Sequence, residues 1–92
     1  MVNDLEYLEQ KHSLKILKIL YENGELCKGE LSSMITVGTA SVQSRIKDLV
    51  EAGLVDEVVD TVKPYKKHIS LTEKGSEVAE LVTRINDRLQ SP

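Results

Sequence analysis

The run Thr39-Ala40-Ser41-Val42-Gln43-Ser44-Arg45-Ile46-Lys47-Asp48-Leu49 brings together side chains suited to touching nucleobase edges. Wound as a helix at about 100° per residue, it gathers Val42, Ile46, Leu49 and Val50 on one side, which is the expected buried face. The other side presents Ala40, Ser44, Lys47 and Glu51, flanked by Ser41 and Asp48, with Gln43 and Arg45 near the boundaries. Small side chains there let a backbone come close to a duplex. Ser donates or accepts, and Gln pairs in bidentate fashion with an adenine edge. Thr39 is placed to cap the helix, and the free N–H groups of the first turn suit a phosphate oxygen. Lys47 and Arg45 add charge contacts.

A second basic element follows. Lys63, Lys66 and Lys67 surround Pro64-Tyr65, and residues 61–70 hold no acid. Such a loop suits phosphates or the minor groove beside a bound helix. The net charge of −3 argues against a nonspecific coater of nucleic acid, so the positive potential must be local. Residues 1–38 hold six acids against four bases.

The elements that position these residues can be read from periodicity. Leu5, Leu8 and His12, then Leu14 to Tyr21, predict helix from about residue 4 to 22, stopped at Asn23-Gly24; Ser13 offers a cap that would split it in two. From Leu14 to Tyr21 the apolar positions cover more than one stripe, so one face is expected to meet the core and the other a partner. A short strand could start at Glu25-Leu26. Gly29 to Ile35 reads as a two-turn helix, with Thr36-Val37-Gly38 as the turn before the recognition helix, about 39–52, which Gly53 ends. Residues 54–71 read as a two-stranded hairpin around Pro64. From 72 to 89, Val78, Leu81, Val82, Ile85 and Leu89 form one stripe of a last helix that packs on its own core or on a second chain. The fold class expected is α+β: a winged helix-turn-helix with a three-helix core, a two-stranded wing, and N- and C-terminal dimerisation helices, in one domain spanning 1–92.

Composition agrees with a small aliphatic domain. Of 92 residues, 40% are apolar, yet Phe and Trp are absent and Tyr occurs three times, leaving Leu, Ile and Val to build the core. Two amphipathic terminal helices offer more apolar surface than so small a core absorbs, which points to a homodimer through Leu5, Leu8, Ile16, Val78, Leu81, Val82, Ile85 and Leu89. With 29% charged residues, no long apolar run and no leader-like N-terminus, a cytoplasmic protein without membrane contact is expected. The single Cys27 fits a reducing compartment. At the start of the second helix its thiol pKa would be lowered, making it a redox sensor or intersubunit disulfide former; the alternative is an inert core residue. His12 and His68 do not make a familiar ligand spacing with Cys27, and no metal or other cofactor is expected. His68 should face DNA or solvent. No phosphate loop, nucleophile motif or placed carboxylate pair suggests an enzyme.

Glu30-Leu31, Ser41-Val42, Arg45-Ile46-Lys47-Asp48-Leu49, Glu51-Ala52-Gly53-Leu54-Val55 and Ile69-Ser70-Leu71-Thr72-Glu73-Lys74-Gly75 together resemble the winged-helix transcriptional regulators of the MarR and ArsR type, most of all their minimal versions from archaea and archaeal viruses. The likeness spans about residues 13–89. It implies a homodimer whose terminal helices pack together and whose recognition helices enter successive major grooves of a palindromic operator, a sequence-specific regulator of double-stranded DNA acting as a repressor. A winged-helix module docking on the transcription machinery is the alternative. The chain has neither the long extra helices of full MarR proteins nor the Cys-x-Cys metal motif of ArsR sensors, and names no small-molecule effector.

Overall fold

A computed structural model describes residues 5–9, 12–35 and 39–91, the side chains of Thr39 and Ala40 excepted. The described residues form helices α1 (Glu6–Glu9), α2 (Ser13–Asn23), α3 (Lys28–Met34), α4 (Thr39–Glu51) and α5 (Glu73–Gln90), and strands β1 (Leu26–Cys27), β2 (Val55–Val59) and β3 (Lys67–Leu71). The expected turn at Thr36-Val37-Gly38 lies outside them. Among the described residues no helix is long and apolar enough to cross a membrane.

The first helical segment is split, as a cap near Ser13 would require. The N-cap is His12, at φ 72°, while Ser13 itself is fully buried. Gly24, at φ 77°, ends α2 with its N–H on the Leu20 carbonyl. The chain then extends into β1, so the wing hairpin gains a third strand and the sheet order is β1-β3-β2, antiparallel throughout. Cys27 pairs with His68, and Leu26 with Ile69.

The core is aliphatic, as composition demands. Ile16, Leu17 and Leu20 from α2, Leu31 and Ile35 from the α3 region, Val42, Ile46 and Leu49 from α4, Val55 and Ile69 from the sheet, and Ala79 from α5 form one buried cluster. Helix α2 runs through its middle, against α4, β3 and, most extensively, α5. That corrects one expectation. Ile16 is 0% exposed, so it is core rather than a residue available to a partner, whereas Leu14 and Tyr21 on the same helix stay exposed.

Helix α4 ends in a Schellman motif. Gly53 adopts φ 79°, its N–H donates to the Val50 carbonyl and the Leu54 N–H to that of Leu49. The same turn is seized by the start of α5. Thr72 donates its backbone N–H to Leu54 O at 3.0 Å and its hydroxyl to Gly53 O at 2.7 Å, while accepting from the Gly75 N–H as N-cap. Lys74 Nζ reaches Ala52 O at 3.3 Å. Gly75 is buried here, and a Cβ built on it would overlap the Leu54 carbonyl, so close backbone approach requires glycine.

Candidate nucleic-acid interface

The exposed side of α4 and the hairpin enclose an open groove of about 710 Å³, lined by Lys28, Gln43, Ser44, Lys47, Val50, Glu57 and Lys67. A contiguous hollow of about 500 Å³ continues it past Cys27, Gly29, Glu30, Tyr65 and Lys66. The structure therefore brings together Gln43, Ser44, Lys47, Lys66 and Lys67 from the residues the sequence nominated. Ser41 is exposed on α4 and Lys63 at the hairpin turn, where the Lys63–Pro64 peptide is cis. Neither lines these hollows. The side chains of Thr39 and Ala40 lie outside the described residues. Arg45 is turned along its own helix into a 3.0 Å ion pair with Asp48, with its side chain 21% exposed.

Val50 departs from the expected buried face and is 40% exposed. The reason is helical phase. At about 100° per residue it sits about 80° from Val42, at the edge of the apolar stripe and on the Gln43 and Lys47 side. It gives the groove an apolar patch on its wall.

Lys28 is a residue that sequence reasoning missed. It opens α3 directly after β1, which places it beside both Gln43 of α4 and Lys67 of β3. Partial burial holds its ammonium below the ordinary lysine range, and the charge of Lys67 pushes the same way, with Glu57 opposing. The available signal was weak: a lone Lys after a two-residue strand.

Cys27 is neither a low-pKa thiol nor a core residue. It is half-buried, and its thiol is pushed up, first by hydrogen bonding with the Glu30 carboxylate and then by desolvation. The Cys27 backbone N–H donates to Glu30 Oε1 at 3.0 Å, and that bond is the main reason the Glu30 carboxyl is held below its usual range. The local carboxylate outweighs the helix dipole. His68 lies across from Cys27 with Nδ1 3.8 Å from the sulfur and 3.6 Å from Glu25 Oε2, while Nε2 is 2.9 Å from Asp60 Oδ1. It thus binds the base of the wing instead of facing DNA. Among the described residues no group of His, Cys, Asp and Glu is arranged to hold a metal ion.

On the opposite side, α1, α2 and α5 border a second groove of about 820 Å³, lined by Leu5, Leu8, Leu14, Val82, Ile85 and Leu89 with Glu9, His12, Lys15, Lys18 and Asn86. Leu5, Leu81, Ile85 and Leu89 are more than half exposed, whereas Val82 is buried and Val78 half-buried. The α5 stripe is therefore divided, with Val78 and Val82 inward and the other three outward.

A three-helix core, a hairpin and a groove between them define a winged helix. The chain belongs to the winged helix-turn-helix DNA-binding family, whose model matches residues 9–56; it is a family of DNA-binding proteins and not of enzymes. No curated protein sequence matches the chain. Among solved structures it is similar to a MarR protein from Peptoclostridium difficile, with 32% identity and a TM-score of 0.79 over 95% of this chain. The chain spans 59% of that protein's length. A protein from Archaeoglobus fulgidus shares the fold over its whole length and 98% of this chain, at 22% identity and a TM-score of 0.79. S. aureus MepR, solved as a DNA complex, also shares the fold, at 23% identity and a TM-score of 0.77 over 94% of this chain and 64% of its own.

Proposed function

We propose that the chain is a sequence-specific transcriptional regulator that binds palindromic double-stranded DNA as a homodimer and represses by occupying a promoter in the cytoplasm. The observation that carries this reading is the convergence of Lys28, Lys47, Lys66 and Lys67 around the exposed Gln43 and Ser44 in a protein of net charge −3. Cations concentrated at one groove steer a polyanion to it, and the small polar side chains between them suit base edges. Lys63 and Ser41 would extend the contacts along the strand, and Thr39 with the first turn of α4 would receive a phosphate. The likeness to a MarR protein supports a regulatory role, and the exposed Leu5, with Leu81, Ile85 and Leu89 of α5, supports pairing of two copies.

Fluorescence titration of a labelled duplex at two salt concentrations tests the reading. Affinity should fall steeply with salt, and Lys66→Glu with Lys67→Glu should weaken it about 10²-fold while lowering the slope of log affinity against log salt by about two. Salt-independent binding, or none, would favour docking on another protein instead.

A further inference from the structure

Glu57 places a carboxylate inside the cationic groove. It stands on β2 opposite Ile69, on the sheet face that continues from the core toward α4, and its Oε1 lies 3.9 Å from Lys67 Nζ. It shares the groove lining with Lys28, Lys47, Gln43 and Ser44, and its charge acts on Lys28 as well. The side chain is 29% exposed. A purely electrostatic DNA clamp has no use for an acid there, since it repels every phosphate that approaches and occupies a lysine that could bind one.

We infer that Glu57 is a specificity-determining residue, which disfavours seating of the sugar-phosphate backbone in the groove and admits a base edge that offers an amino group. This rests on the DNA-binding reading. A carboxylate accepts a hydrogen bond from cytosine N4 but has nothing to donate to a phosphate oxygen. Backbone contacts supply nearly all nonspecific affinity, so a carboxylate beside Lys67 lowers binding to random sequence more than binding to a cognate site. Low nonspecific affinity sets the ratio that matters against a large excess of competing sites.

The test compares Glu57→Gln with Asp56→Asn. Asp56 pairs with Ser70 on the opposite face of the same strand, so both variants change net charge equally and only one changes the groove. Each is titrated, with the wild type, against a random-sequence duplex and against a duplex selected from a random pool, at about 50 and 200 mM salt. Glu57→Gln should bind the random duplex about three- to eightfold more tightly, with a salt slope steeper by about one as Lys67 is released, and the selected-to-random ratio should fall. Asp56→Asn should leave that ratio in place. If Glu57→Gln tightens binding no more than Asp56→Asn, or tightens both duplexes equally, the inference is overturned while the DNA-binding reading stands. If the wild type shows no salt-dependent binding to either duplex, both fall.

Discussion

The two sides of this small protein carry open grooves of similar size, about 710 Å³ between α4 and the wing and about 820 Å³ between α1, α2 and α5, and they are chemically opposite. The first is walled by lysines, an amide and a hydroxyl around one carboxylate; the second is floored by leucines and an isoleucine. Both rest on the same aliphatic core. The difference lies in what each element carries on the face it turns away from that core. A hydrated cationic groove is satisfied by water and counterions until a polyanion displaces them, whereas an apolar groove loses free energy to water for as long as it is uncovered. The apolar side should therefore be closed most of the time and the polar side available.

Breaking the apolar side should have the largest effect. Ile85→Glu or Leu81→Glu puts a charge on the exposed stripe of α5 and is expected to give monomers in sedimentation. Affinity for a two-half-site duplex should then drop by about 10²-fold or more, because the second recognition helix is no longer tethered to the first. A dimer that persists would move the seam elsewhere. On the polar side, Ser44→Ala with Lys47→Ala should reduce discrimination between a selected and a random duplex by about tenfold, with the thermal midpoint near that of the wild type. Unchanged discrimination would remove both residues from the reading surface. The smallest effect concerns the hollow between strand and wing. The pH profile of Cys27 alkylation should have its midpoint above the ordinary thiol range and move down in Glu30→Gln, which removes the chief cause of the upward shift. A midpoint that does not move, or that moves up, would contradict the assigned role of the carboxylate.

Much of the architecture is legible in the chain because local signals agree with one another. Gly24 and Gly53 stop α2 and α4, the capping Thr72 starts α5, and the Val-rich stretch before Pro64 pairs with Lys67–Leu71 after it to form the hairpin. Periodicity also separates Val42, Ile46 and Leu49 from Gln43, Ser44 and Lys47 with no tertiary information. What it misreads are residues whose partner is distant in sequence. Ile16 is buried by elements distant in sequence, and no pattern within α2 distinguishes that cover from a second chain. Val50 sits at a stripe edge, where a few tens of degrees decide between core and groove. Lys28, Glu57 and His68 acquire their surroundings from pairing across the sheet, which composition and spacing do not encode: Glu57 meets Lys67 on the neighbouring strand, and His68 meets Cys27 across 41 positions.

The junction at Thr72 has a geometric corollary. Because its hydroxyl and amide hold the carbonyls of Gly53 and Leu54, and Gly75 admits the Leu54 backbone against α5, the axes of α4 and α5 behave as the two arms of a welded bracket. In a symmetric pair joined along α5, the span between the two reading helices would then be fixed by where the α5 arms cross. The tolerated distance between half-sites would be a constant of the assembly, and sliding that crossing by one helical turn would retune it.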